Sequence, residues 1–200
     1  VVATYDVDEL KVGRSVYELA KQYYEGSGEV PSTLKDLVVR RGIHLGSLNG
    51  LPFKARGREE IHGYEEAVWS IIDEWRSLGV DVVVNVMTTE PVEPVNNLDE
   101  LHKRFKSKEL TASQTYAYMA ALYSLKYRHV AFINAIPSPL AGDQAYVEFY
   151  KECKGVIFGD DGATGATPLT ADLLEHMYER GRRVIDIAQF NIGGNTDFLA

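Results

Sequence analysis

Two clusters late in this sequence hold residue types that chemistry uses. The first is Gly159-Asp160-Asp161-Gly162-Ala163-Thr164-Gly165-Ala166-Thr167, and the second is Gln189-Phe190-Asn191-Ile192-Gly193-Gly194-Asn195-Thr196-Asp197-Phe198-Leu199. Carboxylates so placed can order water, bind a cation or orient a sugar hydroxyl, while amides can hold an oxyanion. Backbone donors at Gly165-Ala166-Thr167 suit a phosphate if they open a helix. Plainer readings stay open: Gly193-Gly194 as a turn, and Asp160-Asp161 as a helix cap or as partners for arginines.

Each cluster follows an apolar, strand-like run, Val156-Ile157-Phe158 in one case and Val184-Ile185-Asp186-Ile187-Ala188 in the other. Both therefore fall at the carboxyl ends of strands, where α/β proteins build their sites. A right-handed crossover through a helix over Thr167 to Arg180 would bring the two ends to one sheet edge. Upstream, strand and helix patterns alternate. The run Val1 to Asp6 predicts a buried strand, Gly13 to Tyr24 a helix, and Leu37-Val38-Val39 a short strand. Gly42 to Gly63, broken by Gly46, Gly50, Pro52 and Gly57, predicts a long loop. Tyr64 to Leu78 places Ala67, Val68, Ile71, Ile72 and Trp75 on one helical face, with Gly79 as its stop. Val80 to Val86 then predicts a strand of the kind found in parallel sheets covered on both faces. Thr88 to Thr111, with Glu90, Pro91, Glu93 and Pro94 near its start, reads as a polar insertion. Beyond it the pattern gives a helix over Ser113 to Leu125, a strand over Val130 to Asn134, a helix over Gln144 to Lys154, the strand Val156 to Phe158, the helix Thr167 to Arg180 and a strand over Val184 to Phe190. This succession predicts an α/β fold with a doubly wound parallel sheet of Rossmann type.

Composition narrows the partners. With 45% hydrophobic residues among 200, the chain can bury a substantial core. A net charge of -8 argues against nucleic acid, since Arg40-Arg41 and Arg182-Arg183 make no basic stripe. The single cysteine, Cys153, is expected to be a small buried group and fits a reducing compartment. With no long apolar run and no signal peptide, the expectation is a cytoplasmic protein without a membrane partner. His44, His62, His102, His129 and His176 lack metal-ligand spacing. The tyrosine-bearing helix with Tyr116, Tyr118 and Tyr123 is a candidate buried face. The opening strand has nothing before it to cover it, and Phe198-Leu199-Ala200 directly follow a glycine-rich turn, so both ends predict a piece of a longer chain.

Other strand ends are polar as well. Asp6, with Asp8 two residues on, stands where a dinucleotide-binding fold holds the adenosine ribose, although a strand-end aspartate is also a common turn former. No Gly-x-Gly-x-x-Gly loop precedes it in this sequence. Asn85 with Thr88-Thr89, and Asn134-Ala135-Ile136-Pro137-Ser138, end two further strands. Three such ends facing one crevice suggest a ligand site.

Taken in order, Ala3-Thr4-Tyr5-Asp6-Val7-Asp8 with Lys11-Val12-Gly13, then Asn134-Ala135-Ile136-Pro137, Gly159-Asp160-Asp161, Gly165-Ala166-Thr167 and Asn191-Ile192-Gly193-Gly194-Asn195 with Asp197-Phe198-Leu199, resemble the myo-inositol-phosphate synthase family along nearly the whole chain. The resemblance implies residues 1–158 as an NAD-binding Rossmann-type domain lacking its first strand and glycine-rich loop. It implies residues 159–200 as the start of an α+β catalytic and oligomerisation domain. It further implies conversion of glucose 6-phosphate to myo-inositol phosphate by internal oxidation, enolisation, aldol cyclisation and reduction, by a homo-oligomer acting on a small sugar phosphate. The implied cofactor is NAD, with a divalent or monovalent cation as a possible addition. By position, Asp6 and Asp8 would hold the adenosine ribose, and Asn85, Thr88, Ala135, Pro137 and Ser138 would line the dinucleotide. Asp160 and Asp161 would lie at the nicotinamide and cation side with Thr167 against the cofactor, and Asn191, Asn195 and Asp197 near the substrate, so that Asp160, Asp161, Asn191, Asn195 and Asp197 are the implied catalytic residues.

The sequence departs from the family pattern after the aspartate pair, where Gly162-Ala163-Thr164 stand in place of a longer, lysine-bearing turn. No lysine occurs from Gly155 to Ala200. A paralogue acting on another sugar or polyol phosphate, or a non-catalytic dinucleotide or sugar-phosphate sensing module, is the alternative expectation.

Overall fold

The computed structural model describes residues 1–23, 28–47, 49, 50, 54–162 and 167–188. Its strands are β1 (Thr4–Asp6), β2 (Val39–Arg41), β3 (Val82–Asn85), β4 (Ala131–Asn134) and β5 (Val156–Gly159). Its helices are α1 (Val16–Tyr23), α2 (Glu59–His62), α3 (Tyr64–Leu78), α4 (Leu98–Ser107), α5 (Ala112–Lys126), α6 (Gln144–Glu152) and α7 (Thr167–Glu179). The fold is α/β and every paired strand is parallel: β1 with β2 in one sheet, and β3-β4-β5 in another. The orders β2-β1 and β3-β4-β5 are those of a doubly wound sheet read on either side of its first strand.

The core lies between the three-stranded sheet and α3, α5 and α6. α5 carries no polar stripe in its middle: Tyr116 to Ala121 and Tyr123 are all buried, as a helix packed on all sides requires. Its start is fixed by a capping box, in which Thr111 accepts from Gln114 N and Gln114 reaches back to Thr111 N. The Tyr146 and Tyr150 hydroxyls donate to the carbonyls of Gln114 and Ala117, locking α6 to α5. α3 ends where expected, with Gly79 left-handed at φ 62°.

Several sequence expectations need correction. Val1 and Val2 are exposed, so the first strand is short and only half-buried. The polar stretch 88–111 contains α4, whose Asn97 cap and apolar Leu98, Leu101 and Phe105 dock on the core; nearby prolines hid this helix. The loop over 42–63 holds the short α2. Among the described residues the three-stranded sheet is covered on one face, with Val82, Val84, Val156 and Phe158 exposed on the other. Residues 184–188 form no strand, and residues 189 and 190 lie outside the described residues. Ile185 is 86% exposed, and strand propensity without a paired ladder does not make a strand. No helix among the described residues is long and apolar enough to cross a membrane.

Candidate functional site

The parallel register sets Asn85, Asn134 and Gly159 level with one another at the carboxyl ends of β3, β4 and β5. Side chains alternate along a strand, so both asparagines share the helix-covered face with Val83 and Phe132. Both are buried. Asn85 Nδ2 donates to Asn134 Oδ1 at 2.8 Å, and Asn85 Oδ1 accepts from Met87 N at 3.2 Å. Asn134 Nδ2 in turn lies 2.9 Å from Asp160 Oδ1, 3.1 Å from Ile136 O and 2.6 Å from Ser138 O. One polar chain thus crosses all three strand ends, and burial makes its internal satisfaction obligatory.

Asp160 terminates that chain. Besides Asn134, its Oδ1 accepts from Leu140 N at 2.9 Å and Ala141 N at 2.8 Å, while Oδ2 accepts from Gly142 N at 2.9 Å. Partial burial pushes the carboxyl pKa up, but the Ala141, Leu140 and Gly142 amides and the Asn134 side chain outweigh it and hold the group below the usual aspartate range. The chain reaches this position through Gly159 at φ +121° and Asp160 at φ +81°. A Cβ on Gly159 would sit 2.1 Å from Asn134 O, so no other residue fits there.

The remaining residues expected at this edge surround the same loop. Ala135 N donates to Asn85 O, continuing the ladder by one residue. Pro137 is exposed, whereas Ser138 is buried with its hydroxyl donating to Glu90 O at 2.7 Å. Thr88 is half-buried on the chain leaving β3. Asp161 is exposed next to Asp160, and Thr167 is the exposed first residue of α7. Asn191, Asn195, Asp197 and the pair Gly165-Ala166 lie outside the described residues.

Asp6 stands at the end of β1 in the other sheet. Its Oδ1 accepts from Val7 N at 2.7 Å and Asp8 N at 3.0 Å, the geometry of a turn-forming aspartate, and its Oδ2 pairs with Lys11 Nζ at 3.1 Å. About a third of the side chain stays open to solvent, at 32%. Asp8 is buried and accepts from Leu10 N. The two-stranded sheet is tied to α3 through Glu74, which accepts from Tyr5 Oη, Arg40 and Arg58 at 2.8, 3.1 and 2.8 Å. Burial raises the Glu74 pKa, and the bonds from Arg58, Tyr5 and Arg40 more than reverse that.

Sequence reasoning missed one residue at the three-stranded edge, Glu90, and the role of another, Asn134. Asn134 was legible as a strand end but not as the hub, although both Val82-Val83-Val84-Asn85 and Ala131-Phe132-Ile133-Asn134 finish on asparagine. Glu90 is buried, and its carboxylate accepts from Ser113 N in the first turn of α5, where the helix dipole favours an anion. An open groove of about 480 Å³ at the start of α3, lined by His62, Gly63, Tyr64, Trp69 and Lys108, includes none of the strand-end residues. Among the described residues, no three His, Cys, Asp or Glu side chains gather to hold a metal.

Against known proteins, the family model for myo-inositol-1-phosphate synthase matches residues 165–200. The inositol-3-phosphate synthase of Mycolicibacterium smegmatis is 27% identical over 99% of this chain and 48% of its own length. That of Corynebacterium glutamicum is 29% identical over 98% of this chain and 47% of its own length. The crystal structure of a myo-inositol-1-phosphate synthase-related protein from Thermotoga maritima superposes with a TM-score of 0.86 and 48% identity, over 100% of this chain and 52% of that one. The chain therefore spans about half the length of the curated synthases it matches. Motifs, fold and full-chain similarity agree: the chain is similar along its whole length to the myo-inositol-phosphate synthases and their related proteins.

Proposed function

We propose that this chain forms the dinucleotide-binding part of an NAD-dependent enzyme that converts glucose 6-phosphate to myo-inositol phosphate. The observation that carries the reading is the convergence of Asn85, Asn134 and Asp160-Asp161 on the carboxyl edge of β3-β4-β5, in a chain similar to inositol-3-phosphate synthases from end to end. Ligands of open parallel sheets bind at that edge.

The residues present fit such a cofactor. Asp6 keeps a half-buried carboxylate at the end of β1, and exchange of its Lys11 contact would turn Oδ2 to a ribose hydroxyl while the charge repels a 2′-phosphate. The segment from Ala135 to Ser138 is held rigidly along the sheet edge, a preformed wall for a flat ligand. When bound, NAD supplies reversible hydride removal and return at the sugar. The chain's own part is to bind and orient: Asp161, exposed beside the latched Asp160, orients a sugar hydroxyl or an ordered water, and Thr167 N at the start of α7 donates to an anionic or amide group. Asn191, Asn195 and Asp197 are assigned to the substrate end by their place in the sequence.

A second reading, a synthase-related paralogue acting on another sugar or polyol phosphate, is favoured by the lysine-free stretch from Gly155 to Ala200, since enolisation calls for an electrophile at the oxyanion. Calorimetric titration of the full protein with NAD and with NADP tests the first reading. NAD binding with clear preference over NADP supports it; equal binding, or none, removes Asp6 from the role.

A further inference from the structure

Asp160 and Asp161 are sequence neighbours in different surroundings. Asp160 spends both carboxylate oxygens on a single loop: the N–H groups of Leu140, Ala141 and Gly142 all point at it, from 2.8 to 2.9 Å. Successive backbone amides converging on one anion form a nest of the kind that elsewhere holds phosphate. Here the chain's own side chain fills it. The near end of the same loop is tied by Asn134 Nδ2 to Ile136 O and Ser138 O, and by Ser138 Oγ to Glu90 O. The far end has Asp160 as its side-chain anchor to β5.

The backbone makes the choice of residue informative. At φ +81°, glycine, asparagine and aspartate all sit with less strain than most residues, and of these only aspartate supplies two acceptor oxygens to the three amides. We infer that Asp160 is a positioning residue, the latch that fixes the 135–142 loop along the cofactor edge, and that it acts through this loop without touching substrate or cofactor. The latch stands on the geometry alone; the consequence for NAD rests on the proposed function.

The test uses the full protein as wild type, Asp160→Asn and Asp160→Gly, both substitutions being compatible with the positive φ. Asn keeps one acceptor oxygen and Gly keeps none, so amide hydrogen exchange at residues 140–142 should quicken by about tenfold in the first and more in the second, as expected for lost charged hydrogen bonds. The dissociation constant for NAD should rise by about tenfold and then further, in the same order. Unchanged exchange overturns the latch. Faster exchange with unchanged NAD affinity overturns the positioning role, and a collapse of kcat at unchanged affinity would make Asp160 a catalytic residue instead. A wild type that binds no NAD overturns the proposed function, while exchange at 140–142 still decides on the latch.

Discussion

Asn85 and Asn134 lie directly opposite each other on adjacent parallel strands, and the 2.8 Å bond from Asn85 Nδ2 to Asn134 Oδ1 leaves the second amide's nitrogen free to face Asp160. A side-chain bridge across the sheet thus joins three strand ends beneath the loops that leave them. Asn85 and Asn134 are buried and Asp160 half-buried, so removing the middle residue orphans its neighbours.

Asn134→Ala should therefore cost about 2–3 kcal/mol of stability, the scale for leaving buried polar groups unpaired. Asn85→Ala should cost less, because it orphans one Asn134 acceptor and Met87 N while the contact with Asp160 survives. Urea denaturation of both variants measures the difference, and equal losses would contradict the hub role of Asn134.

Gly159→Ala should be worse than either at a smaller chemical change. Its added carbon meets a backbone oxygen at 2.1 Å and its φ is +121°, so β5 must shift away from β4. A loss of at least about 2 kcal/mol in thermal or urea unfolding is expected.

The depressed Asp160 pKa gives a pH signature. A carboxyl whose folded pKa lies below its unfolded value, about 3.9 for aspartate, contributes its full stability above that value and loses it as pH falls through the folded pKa. The stability gap between wild type and Asp160→Asn should then be flat from about pH 8 to 5 and shrink below about pH 4. A gap that instead changes near neutrality would point to another group.

Much of the fold was legible because its signals are local. The periodic face of α3, its glycine stop and the β-branched runs of β3 to β5 each follow from neighbouring residues, and so did the burial of Tyr116, Tyr118 and Tyr123. What escaped depends on partners distant in sequence. α4 hid behind Pro91 and Pro94 because its apolar residues make sense only against α3 and α6, and 184–188 carried a strand pattern but joins no sheet. At the site, the positions Asn85, Asp160 and Ser138 were legible as strand-end polar residues. Their bonding was not, since the distance from Asn134 to Asp160 is 26 residues in sequence and one hydrogen bond in space.

Cys153 closes α6 with its thiol buried beside Tyr150 O, and burial pushes its pKa above the usual thiol value. Alkylating reagents should label it slowly in the native protein and rapidly in denaturant. Rapid native labelling, followed by mass spectrometry, would contradict this packing of α6 against α5.

Asp161→Asn and Asn195→Ala should each lower turnover by about 100-fold or more while shifting stability by less than about 1 kcal/mol, since a site residue costs rate and a capping residue costs fold. Steady-state kinetics set against thermal melting separates the two. Full activity in both variants would return these motifs to turns and caps.

The proposed NAD-dependent sugar-phosphate cyclisation is decided by incubating the full protein with glucose 6-phosphate and NAD and following inositol phosphate by NMR alongside NADH absorbance. Inositol phosphate should accumulate over many turnovers without net NADH. Bound NAD with no inositol phosphate formed from glucose 6-phosphate would contradict it.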